Sequence, residues 1–111
     1  MSLLDDLKTV RDRIEHGWTQ ERYYRSTSGC FCLVGAAFSI QGMLFDNQMV
    51  NTMVTREIHA VFQALDAELP SDFTTRLNYA EARLVEWNDH PKRTKEEVLA
   101  LVDKAIESAQ S

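Results

Sequence analysis

Cys30 and Cys32 are the residues of this 111-residue chain whose type and spacing most invite chemistry. Separated by Phe31 alone, two thiols can hold adjacent corners of a zinc tetrahedron. A structural zinc site takes four ligands, usually as two pairs. The sequence has no second pair, and His16, His59 and His90 stand on three separate segments. No metal is expected. A nucleophilic role has more behind it. A thiol at a helix N-terminus has its pKa lowered by the dipole, and Gly29 just before Cys30 leaves room for a substrate. The base would be His59, whose helix must cross the cysteine segment to make a core. The plainer alternative is two small buried hydrophobes, which free cysteines most often are.

The remaining polar pairs need no catalysis. Asp5/Asp6 and Glu96/Glu97 fall in first helical turns, where the macrodipole favours them. There is no Gly-rich phosphate loop, no H-E-x-x-H and no G-x-S-x-G. No catalytic residue is assigned and no cofactor is expected. Trp18 and Trp87 read as core anchors. The most partner-like segment is GMLFDNQMVNTM, residues 42–53, which carries Asp46 as its single charge. Flexible thioethers beside an aromatic ring suit an adaptable binding surface. Met43, Leu44, Phe45, Met49 and Met53 are therefore the candidate partner-binding residues. Packing beneath the connection between the second and third helices is the competing explanation. If exposed together, they would form a larger apolar patch than a monomer normally shows.

The elements that must position these residues read as helical almost throughout. Leu3, Leu7, Val10 and Ile14 recur at spacings of four, three and four, with Ser2 as N-cap and Gly17 as the stop. Residues 18–29 lack a period. Trp18, Tyr23 and Tyr24 are expected to pack, and Ser26 to Gly29 to form a loop. CFCLVGAAFSI follows, with small residues at 35–37 that let a neighbouring helix approach closely. A short buried helix from about Cys30 to Gln41 is predicted, with a buried strand as the alternative. Gly42 should end it. Asp46 or Thr52 can cap a third helix with Val54, Ile58, Val61, Phe62, Leu65 and Leu69 on its buried face, stopped by Pro70. A fourth helix is expected from about Asp72, striped by Phe73, Leu77, Ala80, Leu84 and Trp87. Asn88 to Pro91 forms a turn. Thr94 and Glu97 then make a capping box for a fifth helix that buries Val98, Leu101, Val102, Ala105 and Ile106. The fold predicted is an all-α compact bundle of about five helices with short connections, residues 1–111 forming one domain.

Composition bounds the function by exclusion. The chain is 44% hydrophobic and 26% charged, which excludes collagen-like and generally disordered sequences. Two cysteines and no recognisable signal peptide argue against a disulfide-stapled secreted fold. The run from Gly29 to Phe45 is shorter than the ~20 residues that span a bilayer, and Gly35, Gln41 and Gly42 interrupt it. A cytoplasmic protein with no membrane association is expected. The net charge is −5, neutral over residues 1–29 and negative over 56–111, with no basic block to displace counterions from a phosphate backbone. Nucleic acid is not an expected partner. An acidic surface can complement a basic protein.

CLVGA (Cys32 to Ala36) and the WND...RT..EVLALVDKAI pattern from Trp87 to Ile106 carry a resemblance. The chain resembles a family of small uncharacterised proteins from actinobacteria and their phages. That family shows W-x-x-G near the first helix end, then C-L-x-G-A, then W-N-D-x-x-x-R-T-x-x-E-V-L-x-L-x-D-K-A. Glu21 or Arg22 stands near the place where the family often has glycine, so a different bend near Trp18 is expected. The resemblance implies a bacterial or phage-infected cytoplasm, and it brings no catalytic residue with it. The last motif has its own physical content. Trp87 should be buried, Asn88 should tolerate the left-handed conformation at a helix end, and Asp89 or Arg93 should tie the turn. The function expected is a non-enzymatic protein-interaction module that modulates a host protein or self-associates. A cysteine-dependent enzyme acting on a small acyl or amide substrate is the alternative.

Overall fold

α1 (Leu3–His16) forms where the apolar spacing asks for it, burying Leu7, Val10 and Ile14. Ser2 Oγ accepts from the Asp5 amide at 3.1 Å and opens the helix. The computed structural model describes residues 2–25, 27–41, 44–45, 48–49 and 55–110, and of residues 41, 44, 45, 48 and 49 the backbone alone. Gly17 closes α1 in extended backbone, donating to Arg13 O. Its lack of a side chain is used differently from a left-handed stop. A Cβ there would stand 2.7 Å from Cys30 Sγ, so the glycine lets the cysteine segment pass close to the helix end.

That segment corrects the helix expected from Cys30. Tyr24–Arg25 (β1) and Cys30–Phe31 (β2) pair antiparallel, with Tyr24 opposite Phe31 and Gly29 at φ +69° in the turn between them. The backbone of residues 30–32 is taken by distant partners. Phe31 N donates to Gly17 O (2.9 Å), Thr19 N to Phe31 O (3.0 Å) and Cys32 N to Tyr23 O (3.1 Å). Those groups cannot also make a helical turn. The helix, α2 (Leu33–Phe38), starts three residues later, and all six of its residues are buried. A single 3₁₀ turn over Ser39–Gln41 follows. Leu44–Phe45 (β3) and Gln48–Met49 (β4) make a second two-residue antiparallel pair.

α3 (Arg56–Asp66) buries Ile58, Val61, Phe62 and Leu65 as its spacing predicts. Its cap is Thr55, whose Oγ1 accepts from Ile58 N at 3.2 Å, rather than Asp46 or Thr52. α4 (Ala80–Asn88) begins eight residues later than the sequence suggests. Phe73 and Leu77 continue its apolar spacing backwards but lie in an irregular connection over residues 67–79. Phe73 packs against the core, whereas Leu77 is 40% exposed. The connection is therefore long rather than short. Arg83 ties it down, bonding Asp66 at 2.8 Å and lying over the Phe73 ring. α5 (Lys95–Gln110) buries Val98, Leu101, Val102 and Ala105.

The architecture is a compact all-α bundle of five helices, with α1 packed most extensively on α5 and then on α2. Phe38 of α2 sits at its centre, meeting Tyr23 and Phe62 edge-on at 5.8 and 5.3 Å between ring centroids. No described helix is long and apolar enough to cross a membrane.

Candidate functional site

The two cysteines separate in role. Cys32 is 3% exposed and caps α2, its sulfur accepting from Gly35 N at 3.2 Å. Burial pushes its thiol up to about 12, beyond the reach of the amide's hydrogen bond to lower it. It is a neutral thiol at physiological pH. Cys30 is half-buried beside Gly17. His59 is exposed on α3 and lines a depression with Gln63, Asp66 and Tyr79. Cys32 borders a different one, with Glu21, Tyr23 and Asp89. Cys32 and His59 thus line different depressions. Among the described residues no three His, Cys, Asp or Glu side chains are grouped to hold a metal ion.

The Trp87–Thr94 corner is built as a brace. Trp87 is 3% exposed, and Arg93 lies over its ring at 3.9 Å while donating through Nε to Trp87 O at 2.9 Å. Thr94 N donates to Glu97 Oε1 (2.9 Å) and Glu97 N to Thr94 Oγ1 (3.2 Å), completing the capping box. The Thr94 amide and hydroxyl, with Arg93 beside them, hold the Glu97 carboxyl below its ordinary value. Asn88 differs from expectation. It is the last residue of α4, and the cap after it, Asp89, has φ −89°. Its value is its side chain. Oδ1 accepts from Trp18 Nε1 (2.8 Å) and Leu33 N (3.1 Å), and Nδ2 donates to Thr19 O (3.3 Å) and Asp89 Oδ1 (3.0 Å). Asp89 Oδ1 also accepts from Glu21 N at 2.9 Å, and Glu21 holds the left-handed φ of +67°. Gln20 Nε2 donates to the carbonyls of Asn88 and His90. One buried amide thus fastens the Trp18 segment, α2 and α4 together.

A cleft of about 580 Å³, open to solvent, adjoins the cysteine segment. Asp12, Arg13 and His16 come from the last turns of α1, Tyr24 from β1, Gly29 and Phe31 from the hairpin, and Ser39 from the turn after α2. Tyr24 and Phe31 form one wall, their rings 4.7 Å apart and tilted by 35°. Arg13 Nε donates to Ser39 Oγ at 3.3 Å, and Ser39 in turn donates to Ala36 O at 2.6 Å. The guanidinium is held by a neutral hydroxyl, and no carboxylate among the described residues pairs with it. These seven residues were not assembled from sequence. Their types are ordinary and they come from four stretches of chain.

Met43 and Met53 lie outside the described residues, and of Leu44, Phe45 and Met49 the structure describes only the backbone pairing.

The chain belongs to DUF6197, a family of unknown function whose profile matches residues 1–108. No curated protein and no solved structure matches it.

Proposed function

We propose that the chain is a non-enzymatic protein-interaction module, of bacterial or phage origin and working in the cytoplasm, which docks on a host protein. The cleft between α1 and the β1–β2 hairpin carries this reading. It pairs a positioned guanidinium with an aromatic wall, and arginine and aromatic side chains are the groups that anchor protein interfaces. Phe31, in the aromatic wall, is tied to the end of α1 by Phe31 N–Gly17 O and Thr19 N–Phe31 O bonds, so a partner meets a preformed surface.

Paired capture from actinobacterial lysate tests this. Tagged wild type and the Tyr24→Ala variant serve as baits, with quantitative mass spectrometry as the readout. A protein enriched on wild type and depleted on the variant is expected. No protein distinguishing the two would count against the proposal. Phe45→Ala and Met49→Ala baits test the partner surface read from residues 42–53, and light scattering at micromolar concentration detects self-association.

Catalysis by Cys30 or Cys32 with His59 as base is the weaker reading, because the Cys32 thiol is buried and neutral and lines a different depression from His59; Cys30, half-buried, is the thiol left to it. Cys32 should resist iodoacetamide at pH 7 and react only as fast as the protein unfolds. Rapid alkylation of the folded chain at Cys32 would restore the enzyme hypothesis.

A further inference from the structure

The geometry points to a carboxylate as what the cleft recognises, carried by a segment of the partner protein and flanked there by an aromatic or aliphatic side chain; this rests on the interaction reading above. Arginine forks take planar anions through two parallel N–H bonds. Three other arginines already spend the fork on carboxylates. Arg11 holds Glu15 and Asp103, Arg83 holds Asp66, and Arg93 holds Glu97. Arg13 bonds only Ser39, and through Nε, so both terminal nitrogens are left without a partner among the described residues. The C-terminal dipole of α1 explains why a cation sits in that last turn. It does not use those nitrogens, which are donors and need an acceptor. The Tyr24–Phe31 pair lines the same cleft and offers a face to an apolar neighbour of the carboxylate. His16 supplies a further imidazole at the rim. Asp12 is the one opposing charge among the described lining residues, so the carboxylate must be held by the fork's paired hydrogen bonds rather than by net charge.

The test is a titration of the ¹⁵N-labelled full chain with phenylacetate, phenylacetamide and inorganic phosphate, followed by NMR. Phenylacetate should give saturable shifts at Arg13 Nε–H and at the Tyr24 and Phe31 amides, and neutral phenylacetamide should bind at least about tenfold more weakly. Arg13→Gln should abolish the response, while Arg11→Gln, on the same helix, should leave it within about twofold. No saturable shift at Arg13, equal binding of phenylacetamide, or phosphate binding as tightly as phenylacetate would each overturn carboxylate recognition. Capture assays separate the two levels. If Arg13→Gln still retains the wild-type partner, carboxylate recognition falls and the interaction reading stands. If phenylacetate seats on Arg13 and no protein is captured, the interaction reading falls with the carboxylate site intact.

Discussion

Asn88 is a side chain whose four hydrogen bonds reach Trp18, Thr19, Leu33 and Asp89. A buried amide with every position satisfied stabilises modestly, but removing it strands its partners. Asn88→Ala leaves the Trp18 indole and the Leu33 amide without an acceptor and should cost about 3 kcal/mol, measured by urea denaturation. A loss under about 1 kcal/mol would mean that water replaces the amide. Its identity is plain in the sequence, but its role is not, because its indole partner lies 70 residues away. Glu21 gives the opposite case. At φ +67° it occupies the left-handed region, which a Cβ makes unfavourable by about 1 kcal/mol. Its exposed side chain has no hydrogen bond or ion pair among the described residues, and its amide bond to Asp89 survives in any residue type. Glu21→Gly should therefore raise the melting temperature by about 3–5 °C. An unchanged or lower midpoint would show that the glycine's added freedom in the unfolded chain outweighs the relief.

Among the elements, α2 carries the described glycine with the closest neighbour. A Cβ on Gly35 would lie 1.9 Å from the carbonyl oxygen of Tyr23, a backbone atom that itself accepts from Cys32 N. Gly35→Ala must push the hairpin off the helix and should destabilise by about 3 kcal/mol, at the upper end for overpacking. A thermal melt within about 1 kcal/mol of wild type would show that the hairpin yields freely. The small residues at 35–37 were legible as a close-approach surface; that a strand-like segment rather than a helix makes the approach was not. The same distinction runs through the fold. The buried stripes of α1, α3 and α5 follow from local spacing, and the Thr94–Glu97 box is readable because its partners lie three residues apart. Cys30–Phe31 keeps ambiguous spacing while distant backbone partners hold it extended, and Phe73 keeps helical spacing while Arg83 of α4 covers its ring in an irregular connection.

At the scale of the molecule, the cleft was invisible in sequence because α1, the hairpin and Ser39 meet only after folding. The acidic balance was visible, and the fold concentrates one consequence of it. Asp6 is 2% exposed, and among the described residues its Oδ1 has no hydrogen-bond partner. Desolvation raises its pKa, and Asp5 and Glu57 raise it further. The folded state thus holds the Asp6 proton more tightly than the unfolded chain does. Its contribution to stability is intact below the unfolded value of about 3.9 and is lost as pH rises through the raised folded value. Above that raised value the carboxylate is ionised and opposes folding. Asp6→Asn keeps the shape and removes the charge, so it should stabilise by about 1 kcal/mol at pH 7, with the two stability curves converging by about pH 3. Urea unfolding at pH 7, 5 and 3 decides it. A gap that persists unchanged at pH 3 would place its origin in packing or hydrogen bonding. A wild type more stable than the variant at pH 7 would mean that attraction of the Asp6 charge to the α1 N-terminus outweighs its desolvation.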